Sequence, residues 1–290
     1  MPINEYGFLG NDIKQYEDKL AIKYKEVFDF YEEINHFLHK EKYGIKLKND
    51  DFQGGTIMGI FCKSLTTFQS IYILFKHHLC NDSENLCRIL FEEMVNIGYC
   101  SLGKEETRRY LSLQAINKLH LINTINDEEN KEYFSKNDRE KYFEKKSYIE
   151  MKNELINYLN SLGVKEIFNK KGKPVPISLE ERIKKVNSKN IMNYYITFYR
   201  MVSAGVHSSP DILERYLIFD ENRLMKELSW GPKAEQCGIH PIFASIHFMV
   251  ICLEYIHKYF NFPKKGDISK FWERTQKLGY KYQYFFENNE

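Results

Sequence analysis

Hydrophobic positions recur along most of the chain at spacings of three and four, the period of an α-helix laid against a core. Over residues 12 to 42, Ile13, Tyr16, Leu20, Val27, Tyr31, Ile34 and Leu38 fall at such intervals among Lys and Glu. A long amphipathic helix is expected there. The stretch Asp50 to Gly55 ends it. Next comes TIMGIFCKSLTTFQSIYILFKHHL, apolar on most sides, which reads as a buried helix. Asn81, Asp82 or Ser83 can cap a third helix that runs to about Gly103, where glycine supplies the stop. A fourth begins near Lys104 and carries Tyr110, Leu113, Ile116 and Leu119.

The pattern changes from Asn126 to Asn190. A long polar helix is expected around 138 to 161, followed by NKKGKPVPIS, whose glycine and two prolines break regular structure. Residues 131 to 190 hold fifteen Lys and Arg against nine Asp and Glu. The insertion is therefore basic while the remainder of the chain is slightly acidic. Either it is a solvated helical arm, or it presents a basic surface that follows phosphates. Ser188 or Asn190 can cap the next helix, through IMNYYITFYRMVSAGV, and Ser208 or Ser209 with Pro210 can start another. His207 then lies at a junction between helices. A broad apolar helix is expected from Pro241, and a short one near the end docks through Phe271 and Trp272. No stretch alternates convincingly at period two. The expected fold is all-α: one helical-bundle domain over 1–290, with a long polar, basic helical insertion at 126–190.

Composition narrows the classes. The 43% hydrophobic content, with 21 Tyr and 21 Phe, fills a sizeable core. A formal charge of +2 gives no global attraction to nucleic acid or to an acidic membrane. The first twenty residues lack the pattern of a signal peptide, and no run of eighteen or more apolar residues is present, so a cytoplasmic protein with no membrane partner is expected. The six cysteines are scattered without a CxxC pair and are expected to be reduced. Cys237 and His240, with His247 further on, are too few to make a zinc site, so neither metal nor cofactor is expected. The sequence holds no GxSxG elbow, HExxH helix, Walker loop or GxGxxG turn.

Two polar constellations remain. In CRILFEEMVNIGYC, Arg88, Glu92 and Asn96 form an i, i+4, i+8 stripe bordered by Phe91, Val95 and Ile89. Charges so placed are partly buried and need partners, which makes them either an internal ion pair or part of a ligand site. In YRMVSAGVHS, Arg200, Ser203 and His207 share one face of a helix, together with Asn193 on the turns before. This face reads equally as packing or as chemistry.

The pattern R-x6-H in RMVSAGVH resembles the R-x4-6-H motif of HEPN domains, small all-α modules of bacterial toxins, anti-phage systems and RNA-processing nucleases. The helix with Arg88, Glu92 and Asn96, followed much later by Ser203 and His207 as S-x-x-x-H, also resembles a widespread bacterial family of unknown function. Met201 departs from the common HEPN form, in which a polar residue often follows the arginine. The resemblance implies metal-independent RNA cleavage. His207 would serve as general base or acid and Arg200 would stabilise phosphoryl charge. Glu92 would hold one of them in place, and Arg88, Asn96, Ser203 and Asn193 would support the site or bind phosphate. It further implies RNA as partner, a homodimer, and a regulatory protein partner. The competing expectation is a non-catalytic helical sensor or scaffold in which Arg88, Glu92, Arg200 and His207 form one buried polar network.

Overall fold

The computed structural model describes residues 13–134, 137, 146–200, 202, 217–222, 224–228, 238–261 and 266–282. The fold is all-α, a helical bundle, as the three-four periodicity requires. The chain divides into two compact units, one made of residues 1–98 and 187–290 and the other of Tyr99–Val186.

In the first unit, α1 (Ile13–Lys23) and α2 (Lys25–Gly44) replace the single long helix expected, with a break at Tyr24. Helix α3 (Phe52–Lys76) begins where Asp51 caps the amide of Gly54 at 2.8 Å. The tail returns to this cap, since the Tyr259 hydroxyl donates to the same Asp51 carboxylate at 2.9 Å. Helix α4 (Cys80–Leu102) runs through both units. After the second unit come α8 (Lys189–Tyr194), a π turn (Tyr195–Tyr199), α9 (His240–Tyr259) and α10 (Gly266–Lys281).

The core of this unit lies between α2, α3 and α9. Phe61, Phe68 and Ile71 of α3 and Phe243, Ile246 and Phe248 of α9 are fully buried. Each such aromatic contributes on the order of 2–3 kcal/mol through the surface removed from water. Tyr31 of α2 stacks on Phe68 at 3.9 Å between ring centres, and its hydroxyl donates to the Phe68 carbonyl at 2.7 Å. Gly98 lets α4 approach α9, because a Cβ there would meet the Tyr255 ring at 2.9 Å. Among the described residues α3 is the one helix long and apolar enough to cross a membrane, and much of that stretch is buried in this core.

The hydrophobic pattern predicts no hairpin, yet one is present. Leu217–Phe219 (β1) pairs antiparallel with Met225–Leu228 (β2), Leu217 lying opposite Leu228. Its turn is built on Asp220, whose carboxylate accepts from the amides of Asn222 at 2.9 Å and Leu224 at 2.8 Å. The strands are too short for alternation to show in the sequence.

The second unit holds α5 (Lys104–Asn126), α6 (Tyr148–Ser161) and α7 (Leu179–Val186), with 3-10 turns at Glu128–Tyr133 and Lys165–Ile167. It overlaps the insertion expected at 126–190 and takes in α5 as well. Ala115 and Ile116 pack with Leu159, Val164 and Ile167, while Leu119, Ile122 and Ile125 pack with Met151. Of the polar helix expected around 138 to 161, α6 covers Tyr148–Ser161 and starts where Ser147 has extended backbone and forms a capping box with Glu150, whereas residues 138–145 lie outside the described residues. Cys62, Cys87, Cys100 and Cys252 are free, as expected of reduced thiols, whereas Cys80 is disulfide-bonded and corrects that expectation. Cys237 lies outside the described residues.

Candidate functional site

The site of interest lies in the first unit, where α4 meets the segment from α8 into the π turn. An i to i+4 spacing puts Arg88 and Glu92 on one face of α4, at 3.4 Å between Nη2 and Oε1. Their bridge is a residue the sequence did not single out. The Tyr199 hydroxyl accepts from Arg88 Nη2 at 2.9 Å and donates to Glu92 Oε1 at 2.7 Å. The Arg88 guanidinium also sits over the Tyr199 ring, 4.9 Å from its centre. Both charged side chains are partly buried, 22% exposed at Arg88 and 35% at Glu92. Burial and the neighbouring Glu92 carboxylate push the Tyr199 phenol above its ordinary pKa, so it keeps its proton. Arg88 Nε is buried and finds no acceptor among the described residues.

Arg200 follows Tyr199 in the chain. It is exposed, and its guanidinium lies over the Tyr195 ring at 5.0 Å. Tyr195 in turn stacks on Tyr199, with ring centres 5.4 Å apart. The result is a continuous run of contacts from Arg88 through Tyr199 and Tyr195 to Arg200, two cations on two aromatic rings. The π turn makes this possible. The amide of Arg200 reaches back to the carbonyl of Tyr195, a span of five residues in place of four.

That extra residue separates Asn193 from Arg200. On an uninterrupted helix seven residues return almost to the same face, whereas the π turn rotates the residues beyond it by about 100°. Asn193 is exposed, and its carbonyl accepts from the Thr197 hydroxyl at 2.8 Å. Asn96, the last member of the α4 stripe, is buried. The structure therefore brings Arg88 and Glu92 together and sets Arg200 beside them through two tyrosines. Ser203, His207 and Met201 lie outside the described residues.

A second polar group sits behind the first. His247 on α9 is buried, is hydrogen-bonded through Nδ1 to the Tyr194 hydroxyl, and packs on Trp272 at 4.6 Å between ring centres. Burial pulls the His247 imidazole down to a pKa of about 3, so the ring is neutral at working pH. It is an internal fixture. The neighbour of Glu92, Glu93, turns to the other side of α4, where it is buried and accepts from Lys63 at 3.1 Å and Thr67 at 3.2 Å. Among the described residues no group of three or more His, Cys, Asp and Glu side chains is placed to hold a metal ion.

The chain belongs to a family of unknown function, DUF5677, whose model matches residues 55–224 and so spans α4, the second unit and the π turn. No curated protein and no solved structure matches the chain.

Proposed function

We propose that this protein is a metal-independent endoribonuclease acting in the cytoplasm, of the kind used in toxin or anti-phage defence systems. The observation that supports this most is the placing of an exposed arginine beside the bridge at Tyr199. Arg88 and Glu92 meet at the phenol, and the exposed Arg200 lies over the neighbouring ring. A guanidinium so displayed is suited to the two oxygens of a phosphodiester. In the proposed reaction His207 takes the proton of a ribose 2′-hydroxyl, and the 2′-oxygen forms a bond to phosphorus as the bond to the 5′-oxygen breaks. A proton then passes to the departing oxygen, leaving a 2′,3′-cyclic phosphate and a 5′-hydroxyl. Arg200 stabilises the charge that builds on the phosphoryl oxygens. Glu92 and Arg88 act as positioning residues, by fixing Tyr199 and through it the turn that carries Arg200. Ser203, Asn193 and Asn96 complete the proposed set, a homodimer is the proposed assembly, and a protein partner is proposed to restrain it.

A specific observation favours a second reading for part of this set. The Arg88–Tyr199–Glu92 bridge and the buried His247–Tyr194 pair would rigidify a non-catalytic sensor or scaffold equally well. Stability separates the two readings. Cellular RNA incubated with the protein in excess chelator should be cut to cyclic-phosphate ends, and Arg200→Ala and His207→Ala should abolish cutting. Because Arg200 is exposed, its replacement should change stability by under about 0.5 kcal/mol. Absence of cleavage, with either variant melting well below the parent protein, would establish the scaffold.

A further inference from the structure

The second unit carries a turn that plays no part in the Arg88–Tyr199–Glu92 site. From Ile167 to Val175 the chain folds back on itself. The Val175 amide donates to the carbonyl of the buried Ile167 at 2.7 Å, Phe168 bridges to Pro174, and the Asn169 amide donates to the Lys173 carbonyl at 2.9 Å. The Asn169 side chain holds the tip, accepting from the amides of Lys171 at 2.9 Å and Lys173 at 3.0 Å. Gly172 takes a positive φ of 68°, which side-chain-bearing residues rarely adopt. This hydrogen-bonded tip displays Lys170, Lys171 and Lys173, with Lys165 just before it, all exposed.

These lysines differ from others of the same unit. Lys146 is bound to Glu154 and Lys184 to Glu180, each at 2.7 Å. None of the four at the turn forms an ion pair among the described residues. A fixed turn that concentrates uncompensated ammonium groups attracts a polyanion. The chemistry of the tip selects which one. A membrane-binding loop sets large apolar side chains among its cations, but the residues beside the lysines at the tip here are Asn169 and Gly172, and Val175, past the tip, is the lone exposed apolar residue of the turn. Protein interfaces disfavour lysine, which serves phosphate well as a point charge.

We propose that this turn is a contact for the phosphate backbone of RNA, with Lys170, Lys171 and Lys173 each meeting a phosphate and Lys165 adding to the field. The proposal rests on the nuclease reading in taking RNA as the ligand, and gives the substrate a sequence-independent hold separate from Arg200.

The test uses the full chain carrying Arg200→Ala, so that RNA stays intact, and a fluorescein-labelled single-stranded uridine 20-mer. Binding is measured against salt for this protein and for the same protein with Lys170→Gln, Lys171→Gln and Lys173→Gln. The three substitutions should reduce the slope of log affinity against log salt by about 2, and weaken binding at 0.1 M salt about 10- to 100-fold. The same three changes in the otherwise unaltered chain should leave cleavage of a dinucleotide unchanged. An unchanged slope overturns the proposal, as does binding to phosphatidylserine vesicles with none to RNA. Lysine-dependent RNA binding by a chain that never cleaves RNA would sustain the proposal while refuting the nuclease.

Discussion

Tyr199 is the residue on which the candidate site turns, because one hydroxyl serves both as acceptor for Arg88 and as donor to Glu92. Removing that oxygen leaves two partly buried charges 3.4 Å apart with one hydrogen bond fewer on each. Tyr199→Phe should therefore lower stability by about 1–2 kcal/mol in urea denaturation. A loss under about 0.3 kcal/mol would show that water satisfies both charges as well as the phenol does. Arg88 and Glu92 are legible in the sequence because their relation is local, one helical turn. Tyr199 is not legible as their bridge, since that partnership joins positions more than a hundred residues apart. His247 likewise reads from sequence as a weak ligand candidate beside Cys237 and His240. Only the packing of Tyr194 and Trp272 around it shows an internal role.

At the level of elements, periodicity locates most helices, and their ends follow local rules such as the caps at Asp51, Ser147 and Ser188. What it misses depends on few residues or on broken phase. The hairpin at 217–228 is too short to alternate, and the break at Tyr24 leaves the spacing of apolar positions almost undisturbed. Close packing of elements adds a demand that propensity does not show. Glycine inside a helix is unfavourable by about 1 kcal/mol relative to alanine, yet Gly98 sits in the interior of α4. The nearby Tyr255 ring supplies the reason. Gly98→Leu should cost about 1–3 kcal/mol by overpacking, read as a lower denaturation midpoint, and Tyr255→Ala in the same chain should recover part of it. A neutral Gly98→Leu would mean that the ring swings clear.

For the molecule as a whole, two buried titratable groups oppose each other as pH falls. His247 titrates at about 3 when folded against an ordinary value of 6.5. The unfolded chain therefore takes up a proton that the folded chain refuses, and stability is lost as pH drops from about 6.5 towards 3. Glu93 works the other way. Burial raises its carboxyl pKa, so protonation on acidification relieves a costly buried charge. His247→Gln removes the first effect alone. Its stability should decline less steeply than that of the parent protein, by about 1 kcal/mol per pH unit between pH 6 and 4, in denaturation curves taken across that range. Parallel curves would place His247 in contact with solvent.

The π turn at Tyr195–Tyr199 has a consequence for reading relatives of this chain. It holds one residue more than an α-helical turn covering the same ground. A family member lacking that residue would keep the helix but shift every later side chain round the axis. Pairing such a chain with this one position by position, without a gap here, would match Tyr199 and Arg200 to the wrong neighbours. The arginine that faces outward in one protein would then be compared with a residue that faces the core in the other.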